Sequence, residues 1–353
     1  MKRPDILIVK LSAIGDVVHT LPALNAIRHC YPGAHIDWLV EEAAADLIIG
    51  HRALDQVLIA QRKTWLSDFK TADRGRLISE IARFIQTLRS RRYDMVFDFQ
   101  FSLKGALWIA MTRARRKIGF GPGLEHQEHS HLVLNERIPA VSMEVHALER
   151  GLQMLKAVGI EAPQVSYQLP ITPEHIRQAE RLLMAHGISS QRPFVAVNPM
   201  AKWETKLWEI DKFAKLVDII QDKFKLPVVF TGGPEDRAYI DTIRKQMKTA
   251  APNLAGRTSL LSLAALLQQA QLMVTTDTGP MHIAAAVDTP TIAVFGPTAP
   301  WRTGPYGQQH QVIVAHTACA PCFKRTCPLP EIKKCMKDIT VTQVVAALEN
   351  KLQ

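Results

Sequence analysis

Two stretches of the chain place an acid, a glycine and hydroxyl or imidazole groups at the end of an apolar run. The first is Ile6–Val9 followed by Lys10, Ser12, Gly15 and Asp16. The second is Leu272–Thr275 followed by Thr276, Asp277, Thr278, Gly279, Pro280 and His282. Asp and Gly suit a tight turn, and Pro suits the first turn of a helix, where its missing N–H costs nothing. A strand, a turn and a helix start make an anion site, because free N–H groups and the positive end of the helix dipole point to one spot. Thr276, Thr278 and His282 add side-chain donors at the second stretch. In the first, Asp16 stands where open α/β sheets bind ligands, with Lys10 and His19 beside it. Each Asp also reads as an ordinary helix cap.

Elements of the α/β type must hold these residues. Apolar runs predict strands at Ile6–Val9, His35–Val40, Gln56–Ile59, Tyr93–Phe99 and Lys117–Phe120. A second series follows at Phe194–Val197, Val228–Thr231, Leu272–Thr275 and Thr291–Phe295, with helices between the strands throughout. Such alternation means parallel sheets joined by right-handed crossovers. The first helix is expected near Val17–Cys30, and Gln61–Arg76 reads as a basic, aromatic segment ahead of a helix at Leu77–Arg91. Gly121–Val133 has no clear period and reads as a mobile loop. Two Pro residues in Tyr167–Pro173 mark a boundary. The expected domains are residues 1–168 and 169–353, the second including the cysteines of 319–335 and a closing helix over 340–353. Ligands are expected between two doubly wound domains, at the C-terminal ends of their strands.

At 353 residues the chain has room for two cores, and 47% hydrophobic with 22% charged residues is a globular composition. A net charge of +10 favours an anionic partner: a phosphosugar nucleotide, an acidic lipid surface or nucleic acid. Aromatics are not interleaved with basic residues as base-stacking platforms would be, so nucleic acid is the weakest of the three. The N-terminal apolar run is too short for a signal peptide, and no run approaches a membrane span. A cytoplasmic protein is expected, with attachment to a membrane surface by charge left open. No Gly-x-Gly-x-x-Gly follows the first strand, which argues against a dinucleotide-dependent dehydrogenase.

Taken together, ILIVKLSAIGDVVHTLPAL, IDWLVEE (Ile36–Glu42), YDMVFDFQFSLKGAL (Tyr93–Leu107), KWETKLW (Lys202–Trp208), TDTGPMHIAAA and VFGPT (Val294–Thr298) resemble the ADP-heptose:lipopolysaccharide heptosyltransferases, glycosyltransferase family nine. The resemblance covers nearly the whole chain. IDWLVEE and RKTW (Arg62–Trp65) are most similar to the heptosyltransferase I branch. The resemblance implies two facing Rossmann-like domains in the GT-B arrangement, with the active site in the cleft between them. It implies an inverting transfer of heptose from ADP-L-glycero-β-D-manno-heptose, held by the C-terminal domain, to a hydroxyl of the lipopolysaccharide inner core, held by the N-terminal domain. Kdo of Kdo₂-lipid A is the favoured acceptor, which would place the enzyme at the cytoplasmic face of the inner membrane.

Inverting transfer needs a base for the acceptor hydroxyl, support for an oxocarbenium-like centre and neutralisation of the departing diphosphate. By resemblance, Asp16 is the general base and Lys10 contacts a phosphate, with Ser12 beside it. Lys206 is the phosphate-binding Lys, and Thr205 adds a hydroxyl. Thr278 and Gly279 offer N–H groups to the diphosphate, Asp277 contacts heptose hydroxyls and His282 lies near the phosphates. In the turn Gly232–Asp236, either Glu235 or Asp236 would accept from ribose hydroxyls. Arg62, Lys63 and Lys104 are candidates for acceptor anions, with His146 and Arg150 behind them.

No Asp-x-Asp pair occurs in the chain. That favours leaving-group stabilisation without a metal, so no cofactor is expected for catalysis, while Mg²⁺ stimulation stays open. Cys319, Cys322, Cys327 and Cys335 fall within seventeen residues. Four thiolates at that spacing can close a tetrahedral structural zinc or iron site, and protein-modifying members of the family carry a four-Cys iron site. Reduced, unpaired thiols are the other reading. Two other functions stay in play. One is a family member that adds a later heptose or modifies a protein; the other is a nucleotide-sugar-binding protein without transfer activity.

Overall fold

The structure, a computed structural model, describes residues 3–70, 74–125, 128–189 and 192–352. The chain divides into two compact units, residues 1–170 and 171–353. In the first, the strands are β1 (Asp5–Val9), β2 (His35–Glu41), β3 (Gln56–Ala60), β4 (Arg92–Asp98), β5 (Arg113–Phe120) and β6 (Glu136–Ile138). Helices α1 (Ile14–Cys30), α2 (Glu42–Ala45), α3 (Arg62–Lys70), α4 (Arg74–Ser90), α5 (Leu103–Met111) and α6 (Ala147–Lys156) connect or flank them. The sheet order is β3-β2-β1-β4-β5-β6, and every pairing is parallel. The order turns round between β1 and β4, which makes a crevice beyond their C-terminal ends. Ile6, Leu7, Ile8 and Val9 are wholly buried, as a strand covered on both faces must be.

The second unit holds α7 (Pro173–Met184), β7 (Val195–Asn198), α8 (Ile210–Lys223), β8 (Val228–Phe230), α9 (Arg237–Arg244), α10 (Leu260–Gln269), β9 (Leu272–Thr276) and α11 (Gly279–Ala286). It continues through β10 (Thr291–Phe295), α12 (Pro300–Thr303), β11 (Gln311–Val314), α13 (Lys334–Lys337) and α14 (Val341–Leu352). Its parallel sheet runs β11-β10-β9-β7-β8, and its reversal lies between β7 and β9. A core of Val195, Val197, Trp208, Phe213, Val274 and Val294 holds this sheet to its helices.

Several elements differ from the reading of the sequence. α1 starts at Ile14, so Asp16 lies in the first helical turn and not ahead of it. β5 starts four residues early, at Arg113. Its Arg116 is neutralised by Glu136 of β6 through two 2.7 Å hydrogen bonds, which lets a charged sequence form an inner strand. β6 and β11 were not expected, since three and four residues carry too little periodicity. The basic segment Gln61–Arg76 contains α3, with residues 71–73 outside the described residues. Ser130–Val133, at the end of the expected loop Gly121–Val133, is a 3-10 turn; residues 126 and 127 of that loop lie outside the described residues. Residue 353, at the end of the expected closing helix, does so as well.

Candidate active site

In the first unit, β1, β2 and β4 deliver polar groups to one rim. Lys10 follows β1 directly. Its ammonium donates to the Phe99 carbonyl at 3.0 Å and stands 3.9 Å from Asp16 Oδ1. Burial pulls the Lys10 pKa down, and the charges of Asp16 and Asp98 push it back up. Asp98 ends β4 and is fully buried. Its Oδ1 accepts the N–H groups of Gln100 and Phe101 at 2.9 and 3.0 Å, which folds the turn after the strand. Burial raises its pKa, while those N–H groups and Lys10 lower it. Gln100 then reaches back, and its Oε1 accepts from the backbone of Leu11 (2.8 Å) and Ser12 (3.3 Å). Gly105 permits this, because a Cβ there would lie 2.8 Å from Gln100 Cβ.

Ser12 Oγ accepts from Lys104 at 2.9 Å, and Lys104 pairs with Glu41 at the end of β2, also at 2.9 Å. Arg62 stands 4.0 Å from the same Glu41 oxygen. Lys63 joins the rim through its backbone, which donates to Glu42 at 2.7 Å. A cavity of about 230 Å³ opens here, with Lys10, Asp16, His19, Gln100, Ser102 and Arg150 among its walls. Arg150 is buried, and its guanidinium donates to the Met143 and Val145 carbonyls at 3.0 and 2.6 Å. Asp16 Oδ2 accepts the Ala13 N–H at 3.0 Å, yet its side chain remains 45% exposed. It therefore caps its helix and still presents a carboxylate to the cavity.

The second unit repeats the plan at its own reversal point. Asn198 at the end of β7 is level with Thr275 of β9. Thr276 Oγ1 donates to the Met200 carbonyl at 2.6 Å, which ties the segment after β7 to β9. That segment ends in a 3-10 turn over Glu204–Lys206. The Lys206 ammonium meets Asp277 Oδ2 at 2.6 Å, and Thr298 Oγ1 donates to the same oxygen at 2.6 Å. Asp277 is buried and Lys206 nearly so, so these are charge-assisted bonds with little competition from water. Lys206 also stands 4.5 Å from the centre of the Trp203 ring, and the Arg325 guanidinium lies 5.3 Å from the same ring, within cation–π range. Thr278 is the N-cap of α11, Gly279 its first residue, and His282 is buried within it.

Other expected donor-site residues have structural partners. Thr205 is buried and its hydroxyl donates to the Lys324 carbonyl at 2.9 Å, bracing the cysteine-bearing segment. Asp236 Oδ2 accepts the Gly233 N–H at 2.7 Å. Burial raises its pKa, and that N–H opposes the rise. Glu235 is exposed.

The expectation of a metal site at Cys319, Cys322, Cys327 and Cys335 is not met. Among the described residues, no group of three or more His, Cys, Asp or Glu side chains is placed to hold a metal ion. The four cysteines line a cavity of about 150 Å³ together with Thr205, but they sit in unlike surroundings. Cys335 is packed into the core, and burial pushes its thiol up to about 11. The Lys333 and Leu329 N–H groups hold the Cys327 thiol below its ordinary range.

Residues 81–333 match the family model for glycosyltransferase family 9 (heptosyltransferase). The chain belongs to glycosyltransferase family 9. Lipopolysaccharide heptosyltransferase 1 of Pseudomonas aeruginosa is 31% identical over 91% of this chain and 87% of its own length. Lipopolysaccharide heptosyltransferase 3 of Escherichia coli K12 is 30% identical over 80% of each. The solved structure of E. coli heptosyltransferase WaaC with ADP superposes with a TM-score of 0.78 at 24% identity, covering 98% of this chain and 99% of that one. The protein is thus a glycosyltransferase of the heptosyltransferase family, with the two-sheet α/β fold of its GT-B members.

Within this heptosyltransferase, the structure joins Asp16 to Lys10 and Ser12 to Lys104, and it pairs Lys206 with Asp277. Reading the sequence missed Glu41, Asp98, Gln100 and Thr298 as site residues. Each lies inside a motif noted at the outset, at or just past the end of a strand. A polar residue closing a buried apolar strand is the signal that would have found them.

Proposed function

We propose that this enzyme transfers heptose, with inversion, from ADP-L-glycero-β-D-manno-heptose to a Kdo hydroxyl of the lipopolysaccharide inner core. The observation that carries this reading is the half-exposed Asp16 carboxylate in a cavity whose walls also bear Lys10 and Arg150. A carboxylate there takes the proton of a sugar hydroxyl, and the cations balance an acceptor that is itself an acid. The hydroxyl oxygen bonds to the anomeric carbon, the bond from that carbon to the diphosphate oxygen breaks, and ADP departs with the electron pair. Lys206 and the N–H groups of Thr278 and Gly279 neutralise the developing charge, without a metal ion in this role. Asp277 orients Lys206 through Oδ2 and has Oδ1 to offer heptose hydroxyls. Glu235 suits the ribose hydroxyls better than Asp236, which is committed to Gly233. Lys10, Ser12, Lys104, Arg62 and Lys63 meet the acceptor's carboxylates and phosphates, with His282 near the donor phosphates.

The P. aeruginosa relative's name supports the first-heptose reading, and the similarity to a heptosyltransferase 3 makes the acceptor the point to test. Turnover with ADP-heptose is measured by mass detection on Kdo₂-lipid A and on mono-heptosylated core. Product on Kdo₂-lipid A is expected. Product only on the heptosylated core assigns a later transfer, and ADP-heptose binding with no product on either acceptor overturns the enzymatic reading.

A further inference from the structure

The helices α3 and α4 carry exposed apolar side chains that sugar transfer does not use. Their inner faces are complete: Trp65, Leu77 and Leu88 are buried in the first unit's core, and Trp65 packs edge-on against Phe84 at 5.4 Å. Yet Leu66, Phe69 and Ile78 on their outer faces are 51%, 61% and 67% exposed. Arg62, Leu66 and Phe69 follow helical spacing on one face of α3, as do Arg74 and Ile78 on α4. The Arg74 guanidinium lies 5.8 Å from the Phe69 ring centre, so apolar and cationic groups of the two helices share one outer surface. The two helices contain seven Lys and Arg against two acids, Asp68 and Glu80. Among the described residues, no helix is long and apolar enough to cross a membrane.

We infer that the outer face of α3 and α4 docks on an anionic lipid bilayer, with Leu66, Phe69 and Ile78 entering the interface and Arg74 and Arg89 meeting lipid phosphates. A helix lying in the interface has this pattern of apolar side chains framed by one sign of charge. The charge surplus selects the occupant: a second copy of this chain would bring the same positive face and be repelled. The inference places the proposed transfer at a membrane surface, but it is tested without donor or acceptor, so either reading can fail alone.

The full chain is mixed with vesicles of phosphatidylethanolamine and phosphatidylglycerol, or of phosphatidylcholine alone, and bound protein is measured by sedimentation. Binding to the anionic vesicles only, released by salt, is expected. L66S/F69S/I78S should cut the bound fraction's partition coefficient roughly tenfold or more. R74E/R89E, two arginines on the side of α4 that carries Ile78, should do so by charge alone, which keeps the test decisive if the triple variant misfolds. Equal binding of all variants, equal binding to neutral vesicles, or none to anionic vesicles at low salt overturns the inference. So does a concentration-dependent dimer of the unmodified chain that the triple variant abolishes.

Discussion

Asp16 and Asp277 occupy matching places in the two units: each follows the central strand of a parallel sheet, at the reversal of strand order, beside the start of a helix. Their surroundings differ. Asp16 stays 45% exposed, with Lys10 3.9 Å away, beyond a hydrogen bond. Asp277 is buried, and one of its oxygens holds both Lys206 and Thr298 at 2.6 Å. The same local pattern thus yields a carboxylate presented to a cavity in one unit and an anchor for a cation in the other. Burial and the number of bound partners suit the two carboxylates to the different roles proposed above: a base must be able to take up a proton, whereas an anchor must not move.

The sharpest way to break the comparison is Asp16→Ala. It should lower kcat by about 10²–10⁴ with ADP affinity and melting temperature nearly unchanged. Activity within a few-fold of the unmodified enzyme would reassign the base. Lys206→Met should act in the opposite manner, because it leaves the buried Asp277 carboxylate without its cation. Stability should fall by about 3 kcal/mol and ADP binding, by calorimetry, by roughly tenfold or more. Unchanged values for both would mean that the Lys206–Asp277 pair is not an anchor. The smallest expected effect is that of Thr298→Val, which removes one bond to the same carboxylate, worth about 1–2 kcal/mol. Thermal unfolding should drop by a few degrees and recover with Thr298→Ser; a drop of equal size in Thr298→Ser would assign the loss to packing rather than to the hydroxyl.

Much of the fold was legible because strands buried on both faces are written as apolar runs, as in Ile6–Val9 and Thr291–Phe295. β6 and the early start of β5 were not, since Arg116 and Glu136 are tolerable in a sheet only through each other, twenty residues apart. The candidate site divides the same way. Gly, Asp and Pro near strand ends betrayed Asp16, Asp277 and the start of α11, because turn and cap chemistry is local.

The cysteines show the limit of spacing as evidence. Cys319, Cys322, Cys327 and Cys335 stand close enough in the chain for a ligand set, but among the described residues no group of three or more His, Cys, Asp or Glu side chains is placed to hold a metal ion. From its residues alone, the chain determined two parallel α/β units and, in each, a polar turn between a buried strand and a helix start, for those follow from hydrophobic periodicity and backbone preferences within a few residues. Only the tertiary structure decided that Gln100 would close the turn at Ser12, that Asp277 would hold both Lys206 and Thr298, and that Asp16 would stay exposed. Those outcomes depend on which groups are brought within about 3 Å of one another across 21 to 88 residues of chain, and on how much water is left between them.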